Sequence, residues 1–476
     1  MQITVLAAIV MAMTAVELPP SGLAAGLALP AAAAYVLLSG AIAAINSRLA
    51  CWGLAAGEGL WRGVAMRHSR IGLSLQLWLV LGLGGAIWLG QPQWSDLIER
   101  LRPIPLAATA LLMTPFVGAL VLTWLFDYPF HRAYRTRLAE QRALDDLVGS
   151  AAPRVRGPWS LREFLGYNLR HEFLFIAAPV GLIVLLRDVL QVYVTPLVPE
   201  SISGWAIPTA MSLTSLGVFL VAPAMIVHIW RTCPMGDGPL KIALEAVGQR
   251  MNIKFRRILI WQSGGLIANA AVMGLVSRFR YVLLSDGLLE QMSAGDILAV
   301  FAHEAQHVKG RHIMYSLLFA FSTAVLCTYA ADLAGTLLTL DPLTVEVAAL
   351  GLLVLAWAFG FGWISRRFER QSDVNGAAVM SQMQAADLPT DSVSPQGAAA
   401  FAHALQAIAM LNGMSTTHRN WRHGSIGNRI SYLLWLGSTL GSRRHIDSIV
   451  RLIKLGLWAA TAVSAAAMTF GQQLLN

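Results

Sequence analysis

Charge is scarce in this chain. Only 13% of its 476 residues are Asp, Glu, Lys or Arg, against 56% hydrophobic, whereas soluble domains carry about 25% charged residues. That scarcity excludes an ordinary soluble protein. Cysteine is scarcer still. Cys51, Cys233 and Cys327 lie far apart with no paired spacing, which suggests neither a disulfide framework nor a thiolate zinc site. The net charge of +9 would suit nucleic acid, but the basic residues flank apolar runs. That placement reads as membrane orientation, and no nucleic-acid partner is expected.

In place of charge the chain has long apolar runs, near 2–16, 21–45, 71–90, 104–126, 172–195, 205–230, 313–338, 343–364 and 452–471. Most approach or exceed the roughly 20 residues needed to cross a bilayer core. The first run lacks a basic flank, ends at Glu17-Leu-Pro-Pro and is followed at once by the second. The pair reads as a helical hairpin rather than a cleaved leader. The last run is rich in alanine and is compatible with a span or a surface helix.

Arginine placement orients these runs. The connection 46–70 holds Arg48, Arg62, Arg67 and Arg70, and 127–171 is richer, from Arg132 through Arg154 and Arg156 to Arg170. In 91–103, Arg100 and Arg102 are balanced by Asp96 and Glu99, and 196–204 and 339–345 contain no Lys or Arg. Alternation then puts 46–70, 127–171, 231–312 and 365–451 on the cytoplasmic side. The last two are large enough to fold.

The segment 231–312 mixes helical and strand signals. "GPLKIALEAVGQRM" repeats apolar residues at helical spacing, "IKFRRILIW" alternates as a strand does, and "ANAAVMGL" and "FRYVLLSD" read as two more short strands. Ser293 and Asp296 then make a capping box before "AGDILAVFAHEAQHV", which places His303, Glu304 and His307 on a helix. Residues at i and i+4 share a face, so His303 and His307 can present two imidazoles to one metal ion. Glu304, one step round, is placed to act as a base on water.

A catalytic zinc ion needs a third protein donor. His312 falls one residue short of the HExxHxxGxxH pattern, whose last position is Ile313 here, so His312 reads as an interfacial basic residue beside the next span. The other route is Glu369, which stands at i and i+4 with Asp373 in "WISRRFERQSDVNGAAVM", two spans later and so back on the same side. Glu369 can complete a His2Glu set and Asp373 can hold a ligating imidazole. The plainer alternative for Glu369 is a solvated acid paired with Arg366, Arg367 or Arg370.

HExxH, two spans and then ExxxD resembles the layout of the integral-membrane zinc peptidases that include the bacterial stress protease HtpX and the eukaryotic CaaX prenyl protease. The likeness covers about 231–435. "ANAAVMG" is similar to that family's NAxxxG segment, and "HGSIGNRI" to its HPxxxxRI-type stretch, with Gly424 in place of the proline. Gln306 stands where the family has a small residue. The resemblance implies an edge strand at Asn269, Ala270, Ala271 and Val272 that pairs with substrate backbone. It also implies that His423 hydrogen-bonds the tetrahedral intermediate and that Arg429 braces Asp373. For His423 the plainer alternative is one more basic residue in "THRNWRH".

The expected fold is therefore a mainly α integral membrane protein of about eight or nine transmembrane helices, with a small α+β zincin-like catalytic domain on the cytoplasmic side. Its parts are 1–230 (a multispan region of about six helices), 231–312 (edge strand and HExxH helix), 313–364 (two transmembrane helices), 365–451 (third zinc ligand) and 452–476 (a C-terminal hydrophobic helix). The expected function is a zinc metalloendopeptidase binding one Zn2+ per chain. It would act in the lipid bilayer, at the cytoplasmic face, on membrane-associated or misfolded polypeptides. The rival reading is an inactive multispan scaffold or transporter that keeps a peptidase-like site. Arg187, Asp188 and Asp332 lie within apolar runs, and an Arg187–Asp332 ion pair is the simplest expectation for them.

Overall fold

The computed structural model describes residues 1–17, 27–55, 61–147, 158–265, 268–385, 387–412, 414–417 and 420–475. The Leu-Pro-Pro turn after Glu17, and Arg154 and Arg156, fall outside them. The chain divides into two units, 1–232 and 233–476. Eight helices among the described residues are long and apolar enough to cross a membrane. Five lie in the first unit, within 28–55, 63–89, 107–137, 161–197 and 200–229. Three lie in the second, within 312–338, 344–384 and 444–468. The helix Gln2–Glu17 has 16 residues, short of the roughly 20 that a perpendicular crossing requires. Outward-facing Leu213, Leu337 and Phe359 are 64%, 73% and 73% exposed, a surface that only lipid would cover without penalty.

In the first unit, some polar groups within the apolar helices find partners on neighbouring helices. The Tyr35 hydroxyl donates to the Leu79 carbonyl at 2.7 Å, and the Trp78 indole donates to Ser39 Oγ at 3.0 Å. Arg187 takes its neighbour Asp188 as partner, at 3.0 and 2.9 Å, in place of the expected Asp332. The other oxygen of Asp188 accepts from the Leu106 amide at 2.9 Å. Arg187 thus takes an adjacent ion partner, while Asp188 also reaches a backbone amide 82 residues away.

The second unit carries a four-stranded sheet in the order β1-β2-β4-β3, with β1 Thr232–Pro234, β2 Arg257–Trp261, β3 Ala270–Met273 and β4 Tyr281–Ser285. β2 and β4 are parallel, β3 and β4 antiparallel. Central β4 is buried at all five positions, as an uninterrupted apolar strand should be. β3 is an edge strand, ending at Gly274. There φ is +110° and a Cβ would strike the backbone of Phe279 and Arg280, so the residue must be glycine.

The motif helix, Ala294–Lys309, starts where Ser293 accepts from the Asp296 amide at 3.2 Å. The Ser293 hydroxyl in turn donates to Asp296 Oδ2 at 2.7 Å. Its inner face buries Ala299, Phe301, Ala302 and Ala305 completely. After Gly310 a single left-handed residue, Arg311 (φ 54°), turns the chain into the span His312–Leu338. The return path differs. Pro342–Leu355 continues through a π-helical turn at Ala356–Phe361 into Gly362–Gln384 without a break.

Phe301 is fully buried and meets Phe255 edge-on, with ring centroids 6.2 Å apart. Phe301→Ala is expected to lower unfolding stability by about 3–5 kcal/mol, measured by denaturant titration of detergent-solubilised protein. A loss below ~1 kcal/mol would contradict close packing of the motif helix on the sheet.

Candidate metal centre

The structure brings His303, His307 and Glu369 together. One donor atom from each lies within 4.8 Å of the other two. His303 Nε2 and His307 Nε2 are 3.2 Å apart, and they lie 3.6 and 3.5 Å from the Glu369 carboxylate oxygens. Donors about 2.0–2.1 Å from a tetrahedral zinc ion sit roughly 3.4 Å from one another, so the constellation has the size that zinc requires. The two imidazoles come from one face of the motif helix. The carboxylate comes from the ligand helix, Gly362–Gln384, packed across it.

Glu369 is 6% exposed and Asp373 2%, and both are held. Arg429 gives Asp373 two hydrogen bonds, Nε to Oδ2 at 2.7 Å and Nη2 to Oδ1 at 2.6 Å, and its Nη1 lies 3.2 Å from Glu369 Oε2. Asp373 Oδ1 is also 3.0 Å from His303 Nδ1, the second-atom contact that fixes a ligating imidazole. The three arginines beside Glu369 in sequence go elsewhere. Arg366 bonds the Trp421 carbonyl, Arg367 lies over the Trp363 ring, and Arg370 lies over Tyr432 and bonds Asn428. The solvated-acid alternative for Glu369 therefore does not describe this molecule.

Electrostatics give the same picture of a site built for a cation. Burial works against a charge on His303, but Asp373 and Glu369 outweigh it and push its pKa up to about 10. Burial, then the neighbouring His303, lowers His307 to about 4, leaving it neutral with a lone pair to give. Glu304 is pushed up to about 7, chiefly by burial, with His303 opposing. The carboxylates of Glu304, Glu369 and Asp373 share the field of Arg429. With both imidazoles neutral, as metal ligands must be, Glu369 and Asp373 outnumber Arg429 by one negative charge, which suits a divalent ion.

The other sequence-derived candidates are also accounted for. His423 is half exposed, with Nδ1 3.0 Å from Glu369 Oε1, so it touches the third donor directly. Asn269 leads into β3, its amide donating to Ser285 Oγ at 3.0 Å. Among the described residues, Ala270, Ala271 and Val272 pair with Leu284, Leu283 and Val282 on one side only. His312 requires a correction. It is 3% exposed, stacked flat on Phe368 at 4.1 Å, with Nδ1 2.9 Å from His307 Nδ1. It is no interfacial cation. The signal that could have revealed it is Gly310, a helix stop that breaks the spacing before the residue.

An integral membrane protein with an HExxH helix and a third carboxylate donor on a separate helix is the class these features define. Residues 239–418, somewhat over a third of the chain, match the model of peptidase family M48. The chain is 25% identical over 119 residues to CAAX prenyl protease 1 of Saccharomyces cerevisiae, covering 24% of this chain and 26% of that protein. It is 27% identical over 187 residues to the CAAX prenyl protease 1 homolog of Arabidopsis thaliana, covering 36% and 43%. The matches thus span less than half the length of either relative. The crystal structure of S. mikatae Ste24p aligns with 87% of this chain and 100% of its own at 15% identity and a TM-score of 0.46.

Removing the guanidinium should uncover two buried charges at once. Arg429→Met is expected to cost about 3–5 kcal/mol in metal-free protein, measured by denaturant unfolding. Arg429→Lys should recover only part of that loss, because an ammonium cannot bridge both carboxylates. Equal stability of Arg429→Lys and the unsubstituted protein would contradict the bridging role.

Proposed function

We propose that this protein is a zinc-dependent metalloendopeptidase of the membrane, cutting membrane-associated or misfolded polypeptides at the cytoplasmic face. The observation that carries this reading is the donor set itself. His303, His307 and Glu369 match the dimensions of a zinc site, and Glu304, next to His303 in the chain, is within electrostatic reach of His303, Glu369 and Arg429. Zinc bound there supplies Lewis-acid polarisation of the scissile carbonyl and acidifies water.

The chain's own residues do the rest. Glu304, its pKa raised to about 7, takes a proton from the attacking water and returns it to the leaving amine. Asp373 and Arg429 keep the donors in place. His423, on the exposed side of Glu369, is the side chain placed to donate to the developing oxyanion. Peptide backbone adds to the open edge of β3, which lies alongside the motif helix, and pairs through main-chain groups. Asn269 to Val272 carry no charged side chain, so this mode selects for an extended chain more than for a side-chain motif.

Membrane-held substrates are favoured by the surroundings of the donors. A cavity of about 290 Å³ borders His307 and Glu369, and its walls include Ile313, Leu317, Trp357 and Phe361 from the adjoining spans. An apolar side chain or lipid-like group near the cut is the complement of such walls. The relatives named as CAAX prenyl proteases fit this picture, and their name supplies one substrate class to test.

Purified protein is expected to hold about one zinc ion per chain. His303→Ala, His307→Ala and Glu369→Ala should lose it. Glu304→Gln should keep zinc but slow peptide cleavage by about 10²–10⁴-fold. Full zinc occupancy in Glu369→Ala would remove the third donor from the proposal.

Orientation has its own test. Reporter tags in 46–70, 127–171 and after residue 384 should report cytoplasm, and tags in 91–103 and 339–345 the opposite side. Cytoplasmic tags in 339–345 would reverse the proposed sidedness.

A further inference from the structure

Behind His307, away from Glu369, runs a line of polar side chains that the peptidase chemistry does not use. His307 Nδ1 lies 2.9 Å from His312 Nδ1. His312 Nε2 lies 2.9 Å from Gln371 Oε1, and Gln371 Nε2 lies 2.6 Å from Asp447 Oδ1. His312 and Gln371 are 3% and 6% exposed. The line therefore starts at a metal donor, crosses the protein interior and ends on a carboxylate of the C-terminal helix, Arg444–Leu475.

Donor and acceptor chemistry allows this line one direction. A carboxylate only accepts, so Gln371 must turn its NH2 to Asp447 and its carbonyl to His312. That carbonyl also only accepts, so His312 must carry its proton on Nε2. His312 Nδ1 is then bare and must accept from His307, which places the His307 proton on Nδ1 and frees its Nε2 lone pair. That is the nitrogen facing His303 and Glu369. The reverse tautomer of His312 would set the Gln371 carbonyl 2.6 Å from the Asp447 carboxylate, two acceptors in contact, which is strongly unfavourable.

We propose that His312, Gln371 and Asp447 are positioning residues that fix the tautomer and ring orientation of His307, so that a carboxylate on a distant helix sets which imidazole nitrogen is presented to the metal. This rests on the zinc-site reading above. Asp373 serves His303 in the same way directly, through its contact with Nδ1; His307, having no carboxylate there, is served at two removes. The local fold is arranged for the contact. His312 stands five positions after His307, a spacing that a continuous helix would point to different faces. The left-handed turn at Arg311 folds the ring back, and a Cβ on Gly310 would collide with His312 Nε2. Glycine is needed there for close approach.

The test uses full-length protein in detergent, with zinc affinity read by competition against a chromogenic chelator. His312→Phe keeps a ring to stack on Phe368 but has no nitrogen, and Gln371→Leu removes the group that sets the direction. Each is expected to bind zinc about 10–100-fold more weakly than the unsubstituted protein, while thermal unfolding of the metal-free forms shows that they are folded. A second measurement needs no substitution. In zinc-loaded protein labelled with 15N-histidine, His312 should show a protonated Nε2 and a bare Nδ1. Zinc affinities within about twofold of the unsubstituted protein, or a His312 proton on Nδ1, would overturn the proposal and leave the zinc site standing. If the unsubstituted protein binds no zinc at all, both the site and this inference fall.

Discussion

A guanidinium shared between two buried carboxylates is the constraint on which the site depends. Glu369 and Asp373 lie one turn apart on the ligand helix, almost without solvent. Unpaired, such groups take up protons rather than stay charged in a poor dielectric. Arg429 reaches both, and its planar fork matches the geometry. With His303 and His423 also beside it, Glu369 is held as an anion able to donate to a metal, and Asp373 keeps the charge that holds His303. The helix Ile426–Ser438, which carries Arg429, thereby joins the site without offering a donor itself. The same pairing leaves one carboxylate charge over, which a proton on His303 or a bound cation can balance.

Much of this was legible because it is local. His303 and His307 share a face by spacing alone, and so do Glu369 and Asp373; parity of the intervening spans put the two pairs on one side. β2, β3 and β4 followed from alternation and β-branched composition, with boundaries within a few residues. The contact of Arg429 with Asp373 was an expectation drawn from resemblance, since nothing in the spacing of residues 56 apart encodes it.

What escaped has a common physical cause. Spacing rules hold within a continuous helix, and Gly310 and Arg311 end one. His312 therefore sits where no periodicity would put it, against His307 instead of at the bilayer surface. Gln371 and Asp447 are 76 residues apart, and each has the composition of an ordinary polar position. Their meaning arises only when packing sets them in a row. Arg187 departs from expectation for the opposite reason: its ion partner is the adjacent Asp188, not an acid on a distant span.

The two connections into the membrane differ in stiffness. The imidazoles belong to a helix seated on the sheet, and the chain leaves it through a two-residue joint at Gly310 and Arg311. The third donor stands on an unbroken rod that runs from Pro342, through the bilayer-length apolar stretch, to Gln384. In mechanical terms the donor triangle is clamped at two corners and mounted on a lever at the third. A tilt of the lever would carry Glu369 with it, whereas motion of the other span reaches the histidines through the side-chain contact of His312 with His307 rather than through a continuous helix. The thickness and curvature of the surrounding lipid thus have a continuous-helix route to Glu369 and a side-chain route, through His312, to His307.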